Sequence, residues 1–221
     1  MIVSKKRGFI FLRVSKTAST SISSFIRQVM PEDIDIHTGW GVPLESAERT
    51  RLHHISLQEA VNEKYLTEDE IASMRVYAVA RDPVDRFISF ANTIQPHDKF
   101  PNMHNDDKVR FLLDHFAGGL RFDSQVKWFY HNDKIISHPM LYPDFSLFLR
   151  NELGADELPL WENSHQRAVK KVDINNYLQS RIRDLFPEDQ ALWEFLQSRK
   201  GSGKGKTRPP RGVSPRRGKS T

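Results

Sequence analysis

The feature that most constrains the fold is a pattern that occurs twice: an apolar run, a polar turn and an amphipathic helix. Phe9 to Val14 is apolar and aromatic with Arg13 its only charge, and it reads as a buried strand. Small hydroxyl residues follow, from Ser15 to Ser21. Then Ile22, Phe25, Ile26 and Val29 recur at i, i+3, i+4 and i+7, one face of a helix that Pro31 ends. Met74 to Ala80 is a second apolar run, broken by Arg81-Asp82-Pro83. Val84, Phe87, Ile88 and Ala91 again share a helical face. Pro83 suits the first turn of that helix, with Asp82 as its N-cap. Two strand-turn-helix units predict an α/β domain with a mainly parallel central sheet.

The remaining segments are less periodic. Residues 31 to 52 read as irregular, punctuated by Gly39, Gly41 and Pro43, and residues 56 to 73 as short exposed helices. Helices are expected at Phe111–Phe116 and Phe122–Tyr130, with Gly118-Gly119 between them. Lys134–Ser137 reads as a short strand, and Phe145–Leu153 as a helix stopped by Gly154. Tyr177–Phe186 and Gln190–Gln197 are amphipathic on either side of Pro187. From Gly201 onward the chain is Gly, Pro, Ser, Lys and Arg apart from Thr207, Val213 and Thr221. Such a composition cannot build a core. The expected organisation is one domain over 1–198 and a disordered basic tail over 199–221.

Charge follows the same division. Nine of the 33 basic residues fall in 199–221, which has no Asp or Glu; the rest keeps 24 basic against 28 acidic residues, a net of −4. The high isoelectric point therefore describes the tail and not a basic face on the domain. The tail reads as a solvated end, as a weak handle for polyanions including nucleic acid, or as a contact for an acidic acceptor. It has no interleaved aromatic residue, which argues against single-strand stacking. No apolar run is long enough to span a bilayer, and the run after Lys5-Lys6-Arg7, broken at Arg13, is too short for the h-region a secretory signal requires. The absence of cysteine excludes disulfides, thiolate metal sites and a Cys nucleophile, and fits a cytoplasmic protein.

The first polar turn carries chemistry. A Ser/Thr-rich loop between a buried strand and a helix gathers backbone N–H groups and hydroxyls, and the helix N-terminus adds partial positive charge. Lys16 adds a full one. The same hydroxyls also suit ordinary helix capping, and from these residues alone both readings stand. A Walker loop is disfavoured: no glycine lies between Gly8 and Gly39, and the Lys precedes the hydroxyl cluster. The second turn places Arg81 at a strand end and Ser89 eight residues later on the helix. Ligands of α/β sheets bind at the carboxyl ends of strands. Two polar turns there suit a ligand with two separate anionic groups.

In these two segments the chain resembles the sulfotransferases that use 3′-phosphoadenosine-5′-phosphosulfate (PAPS), especially those acting on carbohydrates. Lys16-Thr17-Ala18-Ser19-Thr20-Ser21 is similar to that family's 5′-phosphosulfate loop. Val79-Ala80-Arg81-Asp82-Pro83-Val84-Asp85-Arg86-Phe87-Ile88-Ser89 is similar to its 3′-phosphate motif, which implies that Arg81 and Ser89 hold the 3′-phosphate. Gln125 and Trp128, Leu158-Pro159-Leu160-Trp161-Glu162-Asn163-Ser164, and Phe186-Pro187-Glu188-Asp189 with Leu192 extend the resemblance over about residues 8–197. Two departures stand out. Ala18 occupies a position where many members have Gly, and Leu141-Tyr142-Pro143-Asp144 stands where a Tyr-Glu pair is frequent.

The resemblance implies a P-loop-like three-layer domain, PAPS as donor, PAP as product and a hydroxyl acceptor, expected on a carbohydrate. Lys16 would neutralise the oxygen bridging phosphate and sulfur. A base is needed near sulfur, and histidine suits that role near neutral pH. Of nine histidines, His54, in the segment His54-Ile55-Ser56, is favoured and His53 is next; His37, His97, His104 and His165 are further candidates. Adjacent His residues point apart on a regular element and lack ligand spacing here, so no metal site is expected. The rivals are a nucleotide-dependent kinase and a nucleic-acid-binding module acting through the tail.

Overall fold

The structure, a computed structural model, describes residues 1–39, 41, 47–91, 107, 110, 113, 122–156 and 174–201. Its centre is a five-stranded sheet in the order β3-β1-β2-β4-β7. The strands are β1 (Ile2–Ser4), β2 (Phe9–Phe11), β3 (Ile36–His37), β4 (Arg75–Ala80) and β7 (His138–Leu141). β5 (Tyr130–His131) and β6 (Lys134–Ile135) form a separate two-stranded hairpin.

The two expected strands are neighbours. β2 pairs with β4 in parallel, Phe9 opposite Arg75 and Phe11 opposite Tyr77. β4 pairs in parallel with β7. The sheet is nonetheless mixed and not mainly parallel, because β1 lies antiparallel to both β2 and β3. The physical reason is the tight turn Lys5–Gly8: a connection that short can only reverse the chain, and parallel neighbours need a long crossover.

Alternation along the strands builds a core on each sheet face. Phe9, Phe11, Tyr77 and Val79 pack with Ile22, Phe25 and Ile26 of α1 (Ser19–Val29) and with Phe148. Ile10, Leu12, Val76, Ala78 and Ala80 point to the other face. There they meet Leu52 of α2 (Ala47–His53), Leu57 and Ala60 of α3 (Leu57–Asn62) and Ile71 of α4 (Glu68–Ser73). Helices thus flank the sheet on both sides. A third apolar cluster joins α5 (Pro83–Ala91) to α6 (Asn176–Leu185) through Phe87, Phe122, Leu178 and Phe186.

Several expectations shift. The reach 31–52 contains β3 and α2, and a single 3₁₀ turn, Gln125–Trp128, takes the place of a helix over Phe122–Tyr130. Lys134–Ser137 contributes only β6, and β7 follows it. The helical turn Ser146–Phe148 continues as a π turn, Leu149–Leu153, ending at Gly154 with φ 63°. The last helix, α7 (Pro187–Gly201), runs past the boundary placed at residue 198, with Lys200 paired to Asp144 at 2.9 Å. The expected helix Phe111–Phe116 apart from Leu113, the segment Leu158–Ser164, His97, His104, His165 and the tail beyond Gly201 lie outside the described residues. No helix among the described residues is long and apolar enough to cross a membrane.

Candidate functional site

Parallel pairing puts the exits of β2, β4 and β7 at one sheet edge. Backbone bonds carry the register beyond the strands: Leu12 N donates to Tyr77 O at 2.8 Å, and Tyr142 N to Ala80 O at 2.8 Å. The polar turns after β2 and β4 are therefore adjacent, as strand adjacency requires.

The first turn is bent in an unusual way. Lys16 and Ala18 both have left-handed backbone, φ 64° and 61°, and Thr17 between them does not. Alternating signs of φ turn successive N–H groups toward a common concavity of anion size. Neither residue is glycine, so each left-handed position costs about 1–2 kcal/mol. Strain of this kind persists only where the surroundings over-determine it. Ala18 is the N-cap of α1 and supplies no side-chain acceptor, which leaves the first N–H groups of the helix, at Ser19, Thr20 and Ser21, as orphan donors. The loop is therefore not simply a capped helix start.

The hydroxyls divide into two groups. Thr17 is fully buried, and its Oγ1 donates to Val14 O at 3.0 Å. Its side chain closes the turn, so only its N–H remains for a ligand. Ser19 is buried, and its carbonyl accepts from Ser23 Oγ at 2.6 Å. Thr20 is exposed and Ser21 half-buried, so these are the hydroxyls a ligand can reach.

Arg81 joins the two turns. Its Nη1 donates to Lys16 O at 3.1 Å, and its guanidinium lies 4.4 Å from the centroid of the Tyr142 ring, just after β7. Its main chain is clasped by the fully buried Gln125: Arg81 N donates to Gln125 Oε1 at 3.1 Å, and Gln125 Nε2 donates to Arg81 O at 2.8 Å. Burial, and then the nearby Arg81 charge, push the Lys16 ammonium down to about 8. Asp82 caps α5 as expected, accepting from Val84 N at 2.9 Å and Asp85 N at 3.1 Å. Ser89 is half-buried on α5, one turn beyond Arg86.

His54 is tied to the same strand exit. Its Nδ1 lies 2.6 Å from Arg13 O. A carbonyl can only accept, so Nδ1 carries the proton and Nε2 is left as the acceptor of the neutral ring. Trp128 Nε1 donates to His54 O at 2.9 Å, and its ring meets the imidazole edge to face. Burial pushes the His54 pKa down to about 4, against the raising effect of the Arg13 carbonyl. His53 turns elsewhere: its ring stacks on His37 at 6.3 Å, and its Nε2 is buried from solvent. Arg13, itself buried, places Nη1 3.4 Å from His37 Nε2. Burial and then Arg13 push His37 down to about 3. The adjacent rings of His53 and His54 thus serve different neighbours. Among the described residues, no group of three or more His, Cys, Asp and Glu is placed to hold a metal ion.

Sequence reasoning missed the support beneath the site. Arg86 is fully buried. It donates from Nε to Ser15 O at 3.2 Å, from Nη2 to Ser15 Oγ at 3.1 Å and Asp123 O at 2.7 Å, and from Nη1 to Asp189 Oδ2 at 2.9 Å. Its guanidinium also lies 4.1 Å from the Phe122 ring centroid. Locally Arg86 is one charge on a helix, and nothing in its neighbours marks it as buried. Comparison with protein-family models, with curated proteins and with solved structures finds no significant match to this chain.

Proposed function

We propose that the protein is a sulfotransferase that moves a sulfuryl group from PAPS to a hydroxyl, expected on a carbohydrate, and that it acts in the cytoplasm. The observation that carries this reading is the meeting of Lys16 and Arg81 at the exits of two adjacent parallel strands. One grip is a strained loop with orphan helical donors and a lysine; the other is an arginine held by its main chain. Two cationic grips side by side suit a donor with two separated phosphates, as the sequence resemblance implies.

In this reading the Ser15–Ser21 loop takes the 5′-phosphosulfate, and Arg81 with Ser89 the 3′-phosphate. Sulfuryl transfer then needs in-line attack by the acceptor oxygen at sulfur, loss of the acceptor proton and stabilisation of the leaving phosphate. Positioning and charge stabilisation dominate such reactions, by analogy with phosphoryl transfer. Lys16 supplies positive charge at the bridging oxygen as the S–O bond breaks. His54 Nε2 receives the acceptor proton, with its tautomer fixed by the Arg13 carbonyl. His53 is the poorer base because its Nε2 is buried. A base held neutral by burial is ready at neutral pH, although its intrinsic strength is modest, and the negative donor raises it on binding.

Thermal denaturation tests donor class directly, since a ligand that binds the native state raises the midpoint by mass action. PAP at 100 times its dissociation constant should add about 2.7 kcal/mol of stability, and ATP and ADP much less. A larger shift with ATP would favour a kinase.

A further inference from the structure

The residue with the widest reach under the site belongs to neither turn. Asp189 stands in the first turn of α7 and is fully buried. Its Oδ2 accepts from Arg86 Nη1 at 2.9 Å, and its Oδ1 from Gln125 N at 2.8 Å and from Ser124 Oγ at 2.5 Å. Each oxygen leads to a different grip. Arg86 continues to the carbonyl and hydroxyl of Ser15, at the base of the bent loop. Gln125 continues, through its side-chain amide, to both backbone groups of Arg81.

We infer that Asp189 is a positioning residue that sets the spacing of the two grips, one carboxylate oxygen holding the Ser15–Ala18 loop through Arg86 and the other holding Arg81 through Gln125. The inference deepens the donor-site reading and rests on it for its functional consequence. Burial opposes both charges of the pair, raising Asp189 and lowering Arg86 to about 10. Three donors around Asp189 and a guanidinium still charged at neutral pH keep the pair ionised. A buried pair adds little net stability over an apolar one, and its best-attested use is to fix one arrangement among competing ones. Here that arrangement is the separation between two sites for charge. An error of about 1 Å in such a separation costs on the order of 100-fold in a reaction that depends on alignment.

Asp189→Asn keeps the size and removes the charge. Hydrogen exchange without ligand reads the positioning itself. The reporting amides are Arg81, bonded to Gln125, and Val14 and Ile22, which bracket the loop through Leu12 O and Ala18 O. In D189N, all three should exchange at least about tenfold faster, while amides of β2 and β4 stay protected. The preference for PAP over AMP should fall by about tenfold or more, with AMP affinity reduced less. Should D189N fail to fold, Gln125→Met isolates one arm: Arg81 should lose protection and Ile22 keep it. Unchanged protection at Arg81 and Ile22 in a folded D189N would overturn the inference, as would unchanged protection of Arg81 in Q125M. Wild-type protein with no preference for PAP would overturn the donor reading alone, since the exchange result stands without ligand.

Discussion

Lys16→Met should lower transfer of sulfate from PAPS by about 10²–10³-fold, with little change in stability. The magnitude is that of removing one preorganised donor aimed at developing charge. The measurement is PAP formed from PAPS under single-turnover conditions, with whichever sugar acceptor in a panel supports turnover. A loss below about fivefold would remove Lys16 from the bridging oxygen. The same residue sets a pH dependence. Lys16 must be protonated, so kcat/KM should fall as pH rises past about 8. His54 must be neutral, so kcat/KM should rise as pH climbs through about 4. These limbs report the free enzyme, and kcat should show both moved to higher pH by the bound donor's negative charge. K16M should lose the alkaline limb, and His54→Gln the acid limb; an alkaline limb retained in K16M would belong to another group.

Arg86→Met should be among the most destabilising single changes in the chain, by about 3–5 kcal/mol, because it leaves a buried carboxylate without its counter-charge. It also removes the donors to Ser15 O, Ser15 Oγ and Asp123 O. Urea unfolding at neutral pH measures it, with the slope checked for two-state behaviour. The double variant R86M/D189L, which removes both charges, should recover a large part of the loss. A cost below about 1 kcal/mol for R86M would show that Arg86 is not the strut the geometry describes. Lys16 and Arg86 thus separate cleanly: one acts on charge at the reacting group, the other on the frame that holds the loop.

How much of this was legible in the sequence depended on whether the signal was local. β2, β4, α1 and α5 announce themselves through apolar runs and a 3.6-residue period. Their adjacency and the shared sheet edge follow from general rules of α/β sheets, which single out Lys16 and Arg81; His54 is singled out only by the family resemblance of His54-Ile55-Ser56. β1 could not be read because three residues, Ile2 to Ser4, next to Lys5-Lys6-Arg7 give no period. Missing β1 made the sheet look more parallel than it is. β7 was hidden by His138 and Pro139; a proline is tolerated there because β7 is the edge strand. The left-handed backbone at Lys16 and Ala18 carried no signal, since neither is glycine. The Arg86–Asp189 pair spans 103 residues, and only the folded chain shows that these two charges meet.

The central claim is that two grips form one donor site, and a calorimetric titration of PAP and of AMP tests it most directly. The wild-type protein should bind PAP more tightly than AMP by about 10–100-fold, the worth of charge-assisted hydrogen bonds to the 3′-phosphate, about 1.5–3 kcal/mol. Arg81→Ala should bring the two affinities close together while leaving AMP binding largely intact. No measurable PAP binding by folded wild-type protein, or a PAP preference that survives R81A, would contradict it.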